Sequence, residues 1–233
     1  MREYWYFLPL VGVIFILMAF QISDYSIKEN TAIPDKIADL KGITEIELDG
    51  LNVNIKFDPE SDKIFYSDIL KTRIINSKLK LDSMGKGKNM EIVIGSKNKF
   101  NSIKINGLNI QISGKINSEN FNIDGANVIF KDNTFFNSNE IIINGTNVVI
   151  KGLYDTNIID ISGISTNIDI KVINCKNIRF DGISINAKIE YKDIWEGIRT
   201  INFDGISNNV IIKMRKDNKG EVKSNKKMKI IRY

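Results

Sequence analysis

The phrase Ile103-Lys104-Ile105-Asn106-Gly107-Leu108-Asn109-Ile110-Gln111-Ile112 constrains this chain more than any other feature, because variants of it recur along most of the sequence. Repeats of this kind are read before anything else, since they set the architecture. The copies align on Gly50, Gly107, Gly125, Gly145, Gly163, Gly182 and Gly205. Four residues before each glycine stands an apolar side chain: Ile46, Ile103, Phe121, Ile141, Ile159, Ile178 or Ile201. Two residues before it stands another: Leu48, Ile105, Ile123, Ile143, Ile161, Phe180 or Phe203. The intervening position is mostly polar, as in Glu47, Lys104, Asp160 and Arg179. A period of two defines a strand with one buried face.

After each glycine an asparagine opens a second alternating run: Asn52, Asn109, Asn127, Asn147, Asn167, Asn186 and Asn209. In the last three copies an extra Ile-Ser pair (Ile164-Ser165, Ile183-Ser184, Ile206-Ser207) moves this asparagine two residues further on. A nucleotide bias would enrich asparagine but would not hold it in phase across an insertion, so its position is structural. The two-residue insertion predicts a bulge along that edge. From Gly107 onward the glycines fall 18, 20, 18, 19 and 23 residues apart, whereas Gly50 and Gly107 are 57 apart. Two degenerate copies are expected to fill that gap. One runs from Leu79, Leu81 and Asp82 through a long turn to Asn89, Met90, Ile92 and Ile94, and a poorer one spans Ile64 to Ile75. The expected total is about nine rungs.

Two topologies account for the phrase. Asx-Gly between alternating runs is a strong hairpin signal, and a series of hairpins would give an antiparallel meander or barrel. In a β-solenoid each copy is instead one coil, and equivalent residues stack into ladders. The near-constant period, the repeated apolar positions and the phased asparagine favour the solenoid. A single coil buries four apolar side chains, each contributing roughly 1.5–3 kcal/mol. Ordering its backbone costs about 1–2 kcal/mol per residue. One coil is therefore unstable by itself, and stacking is obligatory.

The chain has no histidine and a single cysteine, Cys175. It thus lacks the usual general base and commonest metal ligand, and cannot form an internal disulfide. Cys175 reads as a small buried residue. Tyr4 to Phe20 is seventeen residues without a charge, near the lower limit for a helix spanning a hydrocarbon core of about 30 Å. The cluster Tyr4-Trp5-Tyr6 suits a headgroup layer, and Arg2 before the span favours an N-terminus inside the cell. This predicts a single-pass signal anchor over residues 1–22 and a tether over 23–42. The solenoid follows over 43–214 and a basic cap or tail over 215–233. The bulk of the chain is then extracytoplasmic, with secretion after signal cleavage as the alternative.

From Lys213 to Tyr233 the chain carries nine Lys or Arg against two acids, a net +7, which leaves −2 for the rest of a chain of total +5. Met228 to Ile231 is expected to form a final capping strand. Lysines there would guard an open edge, and the functional alternative is contact with anionic lipid or envelope polymer. The tail has no interleaved aromatic residues of the kind that bind nucleic acid, which is not expected as a partner.

The order of motifs resembles the bacterial putative-adhesin β-helix family of unknown function, over about Thr44 to Met214. The resemblance rests on Ile46-Glu47-Leu48-Asp49-Gly50-Leu51-Asn52-Val53 at the start, the strand Ile64-Phe65-Tyr66, then Leu79-Lys80-Leu81-Asp82. Met90-Glu91-Ile92-Val93-Ile94-Gly95 and the run of Asp-Gly or Asn-Gly copies follow. It implies an all-β, single-stranded solenoid of right-handed coil, exported or membrane-anchored, and supplies no catalytic or cofactor residues.

Several residues invite a functional reading. Asp49, Asp82, Asp124, Asp181 and Asp204 precede the glycines and could line a calcium ladder, but Asn106, Asn144 and Ser162 share the position, and capping of a turn explains all three residue types. Asp155, Asp160 and Asp169 with Arg179 are the nearest approach to the carboxylate cluster that a glycan-active enzyme needs. Solvated charge on an outward face explains them as well. Tyr191 and Trp195, in the longest return loop, and Lys226 and Lys227, in the basic tail, are candidate partner contacts. For the aromatic pair a loop staple is the competing reading. The chain is therefore expected to be a non-enzymatic, adhesin-like surface protein without metal or cofactor, binding an envelope polymer or protein partner. An envelope sensor or assembly scaffold is the alternative, and a glycan-active enzyme the third reading.

Overall fold

The computed structural model describes residues 31–83 and 89–233. Every regular element among them is a strand: β1 (Thr31–Ala32), β2 (Lys36–Asp39), β3 (Glu45–Asp58), β4 (Lys63–Tyr66), β5 (Lys71–Ile75), β6 (Lys78–Asp82), β7 (Asn89–Gly95) and β8 (Phe100–Phe130). Then come β9 (Phe135–Asn137), β10 (Glu140–Asp155), β11 (Ile158–Ile173), β12 (Asn177–Tyr191), β13 (Ile198–Met214), β14 (Glu221–Ser224) and β15 (Lys229–Arg232). They form one sheet wound into a β-solenoid of about six turns, where nine rungs were expected. Among the described residues no helix is long and apolar enough to cross a membrane. The apolar segment Tyr4 to Phe20, expected as a transmembrane helix, lies outside them, as does the long turn at 84–88.

Pairing between successive coils is parallel and keeps equivalent residues opposite one another. Ile46 faces Ile103, Phe121 faces Ile141, and Ile141, Ile159, Ile178 and Ile201 follow in one column. That excludes the stack of hairpins, whose antiparallel strands would set unlike positions side by side. The apolar pairs before each glycine are all buried, as are Val53, Ile110, Val128 and Val148 after it. A third leg completes the coil, with Ile116, Phe136, Tyr154, Val172 and Tyr191 pointing inward.

None of the seven repeat glycines has a positive φ, so the Asx-Gly pair is not a hairpin turn. The chain instead runs through it as a bent strand between the first and second legs. From Gly107 onward glycine is required there because the backbone of the neighbouring coil fills the space of a side chain, whereas at Gly50 the side chains of Val53 and Met90 do so. A Cβ on Gly145 would lie 2.8 Å from the Gly125 carbonyl oxygen, and on Gly107, Gly182 or Gly205 closer still to the preceding glycine's carbonyl.

The expected bulge at the longer copies does not form. Gly163, Ser165, Thr166, Asn167 and Ile168 pair in unbroken register with Gly145, Asn147, Val148, Val149 and Ile150. Two residues are one full period of a strand, so the insertion moves the sequence along the coil without turning any side chain to the wrong face. Thr166 and Ile185 therefore take the inward place of Val148 and are buried. The asparagine ladder shifts with the insertion. Asn109 donates to Asn52 at 2.6 Å, Asn127 to Asn109 at 2.6 Å and Asn147 to Asn127 at 2.8 Å. A second column, offset by two residues, joins Asn186 to Asn167 and Asn209 to Asn186.

The gap between Gly50 and Gly107 holds no intervening rungs, because these two glycines are direct partners. β6 and β7 do carry the expected phrase, but they stack on the other side of β3, pairing Leu79 with Ile46, Leu81 with Leu48 and Ile92 with Ile55. Ile64 to Ile75 is not a rung at all. β4 runs antiparallel to β7, and β5 runs antiparallel to β6 across Asn76 and Ser77, both at positive φ. This segment closes the N-terminal end of the core with Ile64, Tyr66, Ile69 and Leu70, which water would otherwise reach. At the opposite end β14 and β15 pair parallel with β13. There the Asn225 side chain mimics a strand, accepting from the Phe203 amide at 2.8 Å and donating to its carbonyl at 2.9 Å.

Two substitutions test this packing. Ile143→Asp places a carboxylate at a fully buried site and should cost more than about 4 kcal/mol, unfolding the stack in denaturant titrations; a soluble, fully cooperative mutant would refute the inward assignment. Gly182→Ala, which drives a methyl into the Gly163 carbonyl, should cost about 3 kcal/mol. Gly42→Ala, with nothing near its Cβ but a φ of 79°, should cost about 1 kcal/mol.

Candidate functional site

Between the third leg of one coil and the first leg of the next, three successive coils contribute Asn137-Ser138-Asn139, Asp155-Thr156-Asn157 and Asn174-Cys175-Lys176, where Asn174 is an extra residue at positive φ after Ile173, the register partner of Asp155. The middle residue points inward and holds the corner. Ser138 donates to carbonyls of Glu119 at 3.1 Å or Glu140 at 3.0 Å, and Thr156 to those of Asn139 or Ile158, both at 3.2 Å. Cys175 takes the same place, its thiol directed at the carbonyls of Asn157 and Asn177. Burial pushes that thiol up to about 12, so it stays protonated and unreactive. It stands in for a hydroxyl, a refinement of the sequence reading of a small buried residue.

The outer residues of the three triplets face a polar cleft of about 530 Å³, also lined by Lys99, Glu119 and Arg199. Its wall is a set of amide and carboxylate ladders. Asn157 donates to Asn139 at 2.7 Å, Asn174 to Asp155 at 2.8 Å and Asn137 to Asn117 at 3.4 Å. Lys99 pairs with Glu119 at 2.6 Å. Such a wall offers alternating donors and acceptors at coil spacing to an extended, hydroxyl- or amide-bearing chain. The sequence signal for it was present, since Ser118, Ser138, Thr156 and Cys175 each stand three residues before the first inward residue of the next copy. Counting only from the glycines passed over it.

One end of the cleft is built by the long return loop. Tyr191 and Trp195 are both buried, with ring centroids 4.9 Å apart. The Arg199 guanidinium lies 4.0 Å from the Trp195 ring centroid and 5.0 Å from that of Tyr191, a favourable stacking of a cation on π faces. Arg199 donates to Asp193 through both terminal nitrogens, one at 3.0 Å. Asp193 in turn accepts from the backbone amide of Asn174, in the preceding coil, at 3.1 Å. The two rings thus staple the loop and present little surface to solvent. Burial alone would raise the Asp193 carboxyl, but the hydrogen-bonded Arg199 outweighs it and holds the group below its usual range.

The other carboxylate candidates are not brought together. Asp160 is the register partner of Arg179 on the first leg, Asp169 pairs with Lys188 at 2.9 Å on the second, and Asp155 sits at the cleft. Asp160 is raised, chiefly by burial, against the pull of Arg179. In the column before the glycines, Asn106 donates to Asp49 at 2.6 Å, so neutral and acidic members of this column bond to one another. Lys226 donates to the Gly205 carbonyl, which no further coil covers at that corner, and Lys227 is exposed beside it.

The fold defines the chain as a β-solenoid with capped ends. No protein-family model matches the sequence, and no curated protein matches it. Among solved structures, a putative adhesin from Bacteroides fragilis NCTC 9343 superposes with a TM-score of 0.50 at 12% identity, covering 84% of this chain and 95% of its own. A putative cell adhesion protein from Clostridium sporogenes ATCC 15579 aligns at 15% identity over 77% of this chain and 97% of its own, with a TM-score of 0.28. The first likeness shows a shared fold, in accord with the resemblance drawn from the repeat phrase.

Asp193→Asn should lower stability by about 3 kcal/mol at neutral pH, because Arg199 is left buried without its counter-charge. The Asp193 carboxyl titrates lower folded than unfolded, so its contribution is present above the unfolded value and disappears as pH falls through the folded one. Denaturant melts across a pH series should therefore show the gap between wild type and variant closing in acid. A gap independent of pH would remove the ion pair from the account.

Proposed function

We propose that this chain is a non-enzymatic, membrane-anchored extracytoplasmic protein that binds an envelope polymer or protein partner in an adhesin-like way. The observation that carries this reading is the cleft, where equivalent side chains from three coils line one groove on a stacked scaffold. A groove of this kind suits an extended ligand, with affinity spread over many modest polar contacts. The uncharged segment Tyr4 to Phe20 supplies the anchor. The name carried by the B. fragilis protein of like fold supports the adhesin-like part of the reading.

The test combines topology with retention. Protease added to intact cells should remove the solenoid while leaving cytoplasmic proteins whole; protection of the chain would overturn the extracytoplasmic assignment. Beads carrying the full-length protein in neutral-lipid nanodiscs should retain envelope polymer fragments. Asn139→Ala with Asn157→Ala should weaken that retention by about tenfold, the equivalent of one or two hydrogen bonds. Unchanged retention would remove the cleft from the reading. Crosslinking to a membrane protein, with no polymer retained, would favour the scaffold instead. Turnover on a panel of glycans would establish the enzyme reading.

A further inference from the structure

The sequence concentrates a net +7 in its last 21 residues, Lys213 to Tyr233, against −2 elsewhere. The structure fixes where that charge sits. β14 and β15 are the last strands of the stack, beyond β13, while β1, which follows directly on the N-terminal segment, pairs with β7 at the other end. The basic residues are therefore carried at the end of the solenoid opposite the one where β1 enters the sheet.

They are held in place and little neutralised. Arg215 pairs with Asp217 at 2.7 Å and Lys219 with Glu196 at 3.2 Å. Among the described residues Lys226 and Arg232 bond to carbonyl oxygens and have no carboxylate partner. Lys223, Lys227 and Lys229 are exposed and, among the described residues, have no carboxylate within ion-pairing distance. Edge protection requires only that like charges discourage another strand from pairing. It does not account for this excess of free cations on one end of a chain otherwise slightly acidic.

We propose that this end is a docking surface for a polyanionic chain of the cell envelope, one bearing phosphate or carboxylate groups at regular intervals. Charge complementarity identifies the ligand, and position decides its source. With the chain held through its N-terminal segment, as the proposed function has it, the opposite end of the stack favours an envelope polymer over the protein's own lipid. The inference names a partner class for the adhesin-like reading and rests on that reading for the compartment in which the tip operates and for the N-terminal anchor that sets the ligand's source.

The test uses full-length protein in neutral-lipid nanodiscs and inorganic polyphosphate as the probe. Binding should fall steeply as salt rises, because each neutralised anion releases condensed counterions. The variant Lys223→Gln, Lys227→Gln, Lys229→Gln should bind at least tenfold more weakly, and the corresponding triple arginine variant should bind as wild type does. A control with Lys56, Lys104 and Lys131 changed to Gln, all exposed on the flanks, should bind normally. No binding by wild type, or equal losses in the two glutamine variants, would overturn the proposal. So would anionic vesicles of phosphatidylglycerol captured in preference to polyphosphate, since that would make the ligand a lipid surface. Wild-type thermal unfolding in the tip variant separates lost contact from lost fold. Polyphosphate binding that persists in a chain shown to be protected from external protease would leave the tip intact and sink the adhesin-like reading alone. Adhesion without polyphosphate binding would do the reverse.

Discussion

The structure depends on how closely one coil's backbone can lie on the next at the glycine corner. From Gly107 to Gly205, each repeat glycine has the carbonyl of its predecessor standing where a side chain would be. That approach sets the bend between the first two legs, and the bend aims the apolar pairs before and after it at a common interior. Parallel strands about 4.8 Å apart then bring identical residues together, so any device used once is used along the whole stack. The asparagine column, the aspartate and asparagine column before the glycines and the inward hydroxyls of the third corner all follow from this register. The two amide columns link exposed side chains from coil to coil, and the inward hydroxyls satisfy carbonyls that burial would otherwise leave unpaired.

Much of this was legible because a strand's period is short and its inward residues are chemically distinctive. Leu48 and Ile105, or Ile55 and Ile112, declare a buried face on their own, and seven copies make the face unmistakable. The phase shift of Asn167 showed that the asparagine mattered, but its meaning lay in three dimensions. A bulge and an in-register slide of two residues leave the same trace in a sequence. Spatial order was equally hidden. Leu79 and Ile92 carry the right phrase for a coil, yet nothing in them says which side of β3 they cover. The segment Ile64 to Ile75 was apolar enough to pass for a poor repeat because a lid over the core needs apolar residues too. Tyr191 and Trp195 stood out as aromatic, and only Arg199 and Asp193 reveal why two large rings are folded away there. The cleft was the part of the candidate site least visible, since its triplets are written in small polar residues that any loop could contain.

Repetition and binding make different demands on the same coil. The inward positions are nearly uniform, so specificity has to come from residues free to vary. In the cleft that freedom shows as the sequence Asn139, Asn157, Lys176 down one column, and as Asn137 and Asp155 beside it with the inserted Asn174 bonded to Asp155. At the far end it shows as lysines held by two short strands and by the side-chain bonds of Asn225 and Lys226. The middle of the stack is thereby left to mechanical constancy, and chemical individuality is confined to a flank and a tip.

The placement of β6 and β7 beneath β3 has a consequence for how the molecule assembles. A single coil cannot stand, so an array growing strictly in sequence order would expose an unsupported first layer until later ones arrived. Here the second layer is made by doubling back, and the antiparallel strands β2, β4 and β5 seal its outer side. A two-layer platform closed on one face is complete once residue 95 has emerged, and each later coil adds to the single face that remains open. The detour of 57 residues between Gly50 and Gly107 thus gives the chain a direction of growth, matched to a polypeptide that is delivered from its N-terminus.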